Sequence, residues 1–278
     1  MYILGLVVGA ESIKAVVYTE EYKQVTLKES ALGADVISSA EELLRALIES
    51  EGIAPCDVKY IGVAVDSSFD ISDVKSKLEE AIGINTRVAD IISARALGEA
   101  YLSRDKKSLV MIKIDDAVDS AIVIDKKIYA GSFGNGGKLG HMVIDAHGYD
   151  CECGLKGCFE AYVSRSGIAR LLADAGVECA EKVSATELFS LTSADAEKAK
   201  KAYIYYLSCA LVNIINLFQP QELVLDGDFI SVGYTLLKPV MEVVLDEQYT
   251  SRSERKCNVR FPRTKEETAA LGAALLGR

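Results

Sequence analysis

An α/β fold of two similar domains, each running βββαβαβα, is what the sequence predicts, and three observations predict it. Half of the 278 residues are hydrophobic, enough to fill a large core. The order of strand-like and helix-like segments in the first part of the chain begins again after Lys106. An insertion of roughly 65 residues, long for a connection inside a compact domain, interrupts the second copy and carries a His and Cys cluster between His141 and Cys158.

In the first copy, β-branched and apolar runs at Tyr2 to Val8, Ile13 to Thr19 and Lys23 to Lys28 read as three strands separated by short turns. A helix follows. Ser38 with Glu41 three residues on reads as its capping box, Leu43, Leu44, Leu47 and Ile48 as its buried stripe, and Gly52 as its end. Next come a strand at Val58 to Val65, a helix from Ser72 to Ile82 closed by Gly83, a short strand at Asn85 to Val88, and a helix from Asp90 to Arg104.

The second copy has strands at Leu109 to Ile114, Ser120 to Ile124 and Lys127 to Ala130, the last two joined at Asp125. The insertion, with one or two short helices, precedes a long helix from Ala196 to Phe218. A strand at Glu222 to Leu225, a helix from Val232 to Tyr249, a strand at Asn258 to Phe261 and a final helix capped by Thr264 and Glu267 complete it. The expected domains are 1–106 with 265–278, and 107–264 with the metal loop at 138–160. By analogy of fold this is the arrangement of the actin-like ATPase (ribonuclease H-like) superfamily, which holds actin, hexokinase and the heat-shock chaperone ATPases, with the two domains facing each other across a cleft.

A net charge of −10 with no compensating Lys/Arg cluster disfavours nucleic acid and anionic lipid as partners. The apolar run from Ile3 to Val8 is too short for a signal peptide and lacks a basic flank, so a cytoplasmic protein is expected. Ala202 to Phe218 imitates a membrane span, but it is short for one and is broken by Ser208, Asn213 and Asn216, which gather on one side of a helix, as suits a core helix. Seven cysteines in a reducing compartment do not suggest a disulfide framework.

His141, Cys151, Cys153 and Cys158 offer one imidazole and three thiolates, the soft donor set of tetrahedral zinc. Four protein ligands leave no position for water, so the expected zinc is structural. Gly154 and Gly157 allow the turn that would bring the sulfurs together. The competing readings are a disulfide within the cluster or free thiols, and His147 is a spare ligand of poorer spacing.

The run from Gly137 to Ser164, GKLGHMVIDAHGYDCECGLKGCFEAYVS, closely resembles the hallmark of the ROK family of repressors, uncharacterised reading frames and sugar kinases, roughly GExGHM followed by CxCGxxGCxE. Leu97-Gly98-Glu99, Ile215-Asn216 with Pro220, and Leu271-Gly272-Ala273-Ala274 are weaker echoes in the expected order. The resemblance implies a hexose site, ATP bound between the domains, and an aspartate that takes the proton of the sugar hydroxyl.

Against that pattern this chain departs at each nucleotide motif. Val7, Val8, Gly9, Ala10 and Glu11 stand where the family has DxGGT, so the Mg²⁺ acid is a valine. Lys113 to Ala121, KIDDAVDSA, stands where a glycine-rich phosphate loop is expected, putting Asp115, Asp116 and Asp119 where polyphosphate would sit. The adenosine-side turn is Asp226-Gly227-Asp228. The base position is Ile91, which cannot accept a proton. Asp90, one residue away, points about 100° elsewhere on a helix and reads better as an N-cap.

Lys138 replaces the sugar-contacting glutamate of the motif, which would suit an anionic sugar; His141 and Glu160 match sugar-contacting positions, with zinc binding and a helix-start carboxylate as their structural alternatives. The connection from Val65 to Ser72 is shorter than the family's sugar-covering loop.

The reading is a non-catalytic pseudokinase, acting as a sugar-related sensor or as a regulatory subunit in a homo-oligomer or with a partner protein. Its cofactor would be structural zinc, without ATP or Mg²⁺. The alternative is an active, divergent ATP-dependent sugar kinase for a hexose or N-acetylhexosamine, using relocated acids such as Asp66, Asp90, Asp115 or Asp116. A DNA-binding repressor is disfavoured because the first strand starts at Tyr2.

Overall fold

Runs of β-branched residues set the strands, and the amount of cover on each face sets how continuous those runs are. The structure, a computed structural model, describes residues 1–103, 105–246, 257–263 and 267–278. It divides into two units, Met1–Asp105 with Asp125–Ile128 and Arg263–Arg278, and Lys106–Ile124 with Tyr129–Pro262.

The first unit contains β1 (Tyr2–Val8), β2 (Ser12–Thr19), β3 (Gln24–Ala31), α1 (Val36–Ser50), β4 (Val58–Val65), α2 (Ile71–Ile82), β5 (Thr86–Asp90) and α3 (Ile91–Leu102). Its sheet has the order β3-β2-β1-β4-β5, with β1 antiparallel to β2 and parallel to β4. Leu4, Leu6, Ile61 and Val63 of the central strands join Leu43, Leu44 and Leu47 of α1 and Leu78 of α2 in one core. Each such side chain contributes about 1.5–3 kcal/mol by leaving water.

The second unit contains β6 (Leu109–Ile114) and β7 (Val118–Ile124); β8 (Lys127–Ile128), beyond a tight turn at Asp125 and Lys126 whose φ values are 49° and 60°, is next to β7 in the strand order of this sheet but is counted with the first unit. The insertion follows with α4 (Glu160–Val163), α5 (Arg165–Asp174) and α6 (Ala185–Ser190), then α7 (Ala194–Phe218), β9 (Glu222–Gly227), α8 (Tyr234–Asp246) and β10 (Asn258–Arg260). The order β10-β9-β6-β7 reproduces β5-β4-β1-β2, with the same parallel and antiparallel pairings. The doubled pattern in the sequence is therefore a doubled sheet topology.

α9 (Glu267–Ala274) returns to the first unit, where glycines let it approach other backbone closely. A Cβ on Gly98 of α3 would lie 2.1 Å from Thr268 O, and one on Gly272 would lie 1.7 Å from Ala94 O. Those two glycines belong to the Leu-Gly-Glu and Leu-Gly-Ala-Ala segments, so both segments have a packing role. Glu99, fully buried beside Gly98, accepts from the backbone N–H of Arg263 at 2.9 Å and pairs with its guanidinium at 3.4 Å.

Several expectations need correction. The cap of α1 is Asp35, whose carboxylate accepts from Ser38 N and Ser38 Oγ, so Ser38 lies inside the first turn. Asp90 ends β5 before it caps α3. Three short helices occupy the insertion, and α6 starts with a true capping box, Ser184 with Glu187. In α7 the polar residues do not share one side: Ser208 is buried and returns its hydroxyl to Ile204 O, whereas Asn213 and Asn216 are exposed. Among the described residues α7 is the one helix long and apolar enough to cross a membrane; Tyr203, Leu207, Leu211 and Ile214 of it lie in the core, while Tyr205 and Leu217 are exposed. Arg104, Tyr249 and Thr264, expected at helix ends, lie outside the described residues.

Candidate functional site

The segment from His141 to Cys158 has little regular structure and is held by its own backbone. Ile144 N donates to Gly157 O at 2.8 Å and Gly157 N to Tyr149 O at 2.7 Å, while isolated bridges pair Val143 with Cys158 and Asp150 with Lys156. Gly157 is required there: its φ is +71°, and a Cβ would sit 1.5 Å from Asp145 O. This fold-back brings a ligand atom from each of His141, Cys151, Cys153 and Cys158 within 4.8 Å of one another.

Cys151 Sγ lies 3.6 Å from His141 Nδ1, and Cys153 Sγ lies 3.6 Å from Cys158 Sγ. Sulfurs 2.3 Å from a tetrahedral centre are separated by about 3.8 Å, so the donor set and its spacing both fit zinc. Burial, then the neighbouring thiols of Cys153 and Cys151, push the Cys158 thiol up to about 12. A divalent cation among these sulfurs would reverse that and hold them as thiolates. His147 does not belong to the cluster; its backbone N–H binds Asp145 Oδ1 at 3.1 Å.

Stacked tyrosines fasten the loop to the helices behind it. The ring centroids of Tyr149 and Tyr162 are 4.7 Å apart, and those of Tyr162 and Tyr206 are 3.8 Å apart, which runs from the loop through α4 to α7. Tyr162 OH donates to Asp145 Oδ2, and Tyr149 OH donates to Asp174.

A second polar cluster forms where β6, β7 and β9 end. The sheet register sets Lys113 opposite Asp119 on one side and Asp226 on the other, a row of acid, base and acid. Lys113 Nζ pairs with Asp115 Oδ2 at 2.9 Å. Arg165, at the start of α5, holds Asp228 with two bonds of 2.5 and 2.8 Å and reaches Asp116 at 3.5 Å, while Lys182 meets Asp116 at 3.1 Å. The Arg165 hydrogen bond holds Asp228 below the usual carboxylate range. Burial raises Asp115 above it against the pull of Lys113. The acidic turns at 115–119 and 226–228 are thus occupied by the chain's own cations.

In the first unit, β1 ends on apolar residues, while β5 ends on Asp90 and passes directly to Ile91 of α3. Val7 and Ile91 pack on Ala64, Ala94 and Ala273. Gly9 N donates to Ser12 O at 2.9 Å, closing the turn after β1 on itself. Asp90 is engaged as the cap of α3, accepting from Ser93 N at 2.7 Å and Ser93 Oγ at 2.8 Å. Asp66 accepts from Ser68 N and Ser68 Oγ.

Lys138 is exposed, and its carbonyl accepts from His141 N. Glu160 Oε2 accepts from Val118 N at 2.7 Å, a partner outside its own helix. Arg165 was not singled out from the sequence, although Ser164 before it, which caps α5, marks a helix start whose first residue faces the two acidic turns.

The ROK family model matches residues 3–278. Over 223 residues the chain is 30% identical to a glucokinase of Halalkalibacterium halodurans, covering 73% of this chain and 67% of that one. It is 22% identical over 275 residues to a xylose repressor of Bacillus subtilis, covering 90% and 70%. Among solved structures, the ROK hexokinase from Thermus thermophilus superposes with a TM-score of 0.85 at 22% identity, covering 99% of this chain and 97% of that one, a likeness of fold.

Proposed function

The chain belongs to the ROK family, and we propose that it is a carbohydrate-binding member that senses a sugar or regulates another chain without transferring phosphate. The observation that carries this reading is the joint packing of Val7 and Ile91 on three alanines, at the two positions where the family resemblance calls for the Mg²⁺ acid and the catalytic base. Neither side chain can bind a metal or accept a proton. The ion pairs of Arg165, Lys113 and Lys182 support it further, because a polyphosphate entering those acidic turns would have to displace them.

In this reading His141, Cys151, Cys153 and Cys158 hold one structural zinc ion, which supplies a cross-link and has no open position. Lys138 and Glu160 face the ligand, and the Lys138 ammonium favours a sugar acid or sugar phosphate. The protein works in the cytoplasm as a homo-oligomer or with a protein partner. That it leaves nucleic acid alone rests on its net charge of −10.

The second reading is an active ATP-dependent kinase of a hexose or N-acetylhexosamine, and the 30% identity to a glucokinase favours it. Mg²⁺-ATP would then bind, with Asp66, Asp90, Asp115 or Asp116 doing the acid and base work. One experiment separates the two: calorimetry on zinc-loaded protein with a non-hydrolysable ATP analogue and a panel of neutral and acidic sugars, beside a coupled kinase assay. The sensor reading expects heat from a sugar and none from the nucleotide. Sugar-dependent turnover that vanishes on replacing one of those aspartates would establish the kinase.

A further inference from the structure

We propose that Cys153 and Cys158 form a site of oxidative modification, in which a hydroperoxide oxidises Cys153 and Cys158 closes a disulfide onto it. The consequence, release of the metal, rests on the zinc reading above; the reactivity of the pair does not.

Three features of the loop single out this pair. The two sulfurs are already 3.6 Å apart, whereas a disulfide needs about 2.05 Å, so closure asks for a small rotation of one side chain. Access is unequal, since Cys153 is exposed, Cys151 is partly covered with its sulfur against His141 Nδ1, and Cys158 is buried. A peroxide therefore meets Cys153 first. Surroundings are unequal in the same sense: the backbone of Cys158 is bridged to Val143, while a Cβ added at Gly154, next to Cys153, would meet nothing within 4 Å.

The chemistry balances as follows. The Cys153 thiolate attacks one peroxide oxygen, an S–O bond forms as the O–O bond breaks, and the leaving oxygen takes a proton from water. The Cys158 sulfur then attacks the Cys153 sulfenic sulfur, an S–S bond forms, and the hydroxide that leaves becomes water by taking the Cys158 thiol proton, or a solvent proton where a bound cation already holds Cys158 as thiolate. The two sulfurs lose two electrons and the peroxide gains them. Only His141 and Cys151 remain as ligands, too few for a four-coordinate site.

The test uses the full chain carrying Cys56→Ser and Cys179→Ser, which removes the other exposed thiols. Its zinc content is measured first, then hydrogen peroxide is added while a metal-binding dye reads free zinc and non-reducing peptide mapping reads the product. The expected result is zinc release in step with a Cys153–Cys158 disulfide, both reversed by a thiol reductant and added zinc. In a Cys158→Ser version a sulfenic acid should be trapped on Cys153 by a cyclic 1,3-diketone. A Cys151–Cys153 bond, oxidation that begins at Cys151, or unreacted thiols would overturn the proposal. Protein found without zinc would refute the zinc reading alone, and the mapping would still decide the pair.

Discussion

Val7, near the end of β1, and Ile91, the first residue of α3, pack against the same three alanines, Ala64, Ala94 and Ala273. An acid at either position would bring a charge to a partly buried apolar cluster. Ile91→Asp should cost about 1–3 kcal/mol in urea unfolding, whereas Ile91→Val should cost about 0.5–1.5 kcal/mol. Neither variant should phosphorylate a hexose. Turnover gained by Ile91→Asp would show that the rest of a kinase site is intact and would overturn the expectation that no nucleotide binds.

Gly98→Ala tests the contact between α3 and α9. Alanine normally favours a helix by roughly 1 kcal/mol over glycine. Here its methyl would lie 2.1 Å from Thr268 O, so the helices must separate. The overpacking should outweigh the propensity and leave a net loss of about 1–3 kcal/mol. Chemical denaturation of the variant beside the parent protein reads the difference.

How much of this was legible in the sequence depends on how local each signal is. β1, β4 and β6 occupy the residues their apolar runs mark, because helices or neighbouring strands cover them along their length. The His and Cys cluster was legible because its donors fall within one short loop. The start of α1 was misread because Asp35, Ser38 and Ser39 all resemble caps, and only the structure shows Ser38 and Ser39 bonding back to Asp35. Arg165 and Asp228 are 63 residues apart, and no local pattern pairs them. Glu160 likewise finds Val118 N across 42 residues, so its hydrogen bond was beyond any motif.

Removing zinc should loosen the loop rather than unfold the chain. The four proposed ligands hold a segment with only two isolated bridges and a few backbone hydrogen bonds, whereas the strands behind it have their own core. A strong chelator should lower the thermal midpoint by several degrees, corresponding to about 2 kcal/mol or more at saturating metal. Hydrogen exchange should rise first at 141–158, and the amides of β6 should stay protected. Loss of protection across both sheets together would show that the metal is needed for the whole fold.

Arg165 and Asp228 give the molecule an acid-sensitive contact whose sign can be worked out. The Arg165 hydrogen bond lowers the Asp228 carboxyl from its ordinary value of 3.8, so the folded protein binds that proton less readily than the unfolded chain. The contribution is fully present above pH 3.8 and is lost as pH falls through the lowered value. Asp115, raised by burial, acts oppositely: its contribution is present below 3.8 and fades as pH rises through the raised value. Asp228→Asn removes the first effect and leaves Arg165 with the weaker Asp116 contact at 3.5 Å. Arg165 is partly exposed, so the cost near neutral pH should be about 1 kcal/mol. Below pH 3.8 the stability curves of the variant and the parent should converge, as the parent loses what the variant never had. Denaturant midpoints measured across that range check this, and a gap that widened toward acid would mean that the Asp228 carboxyl is not held down by Arg165.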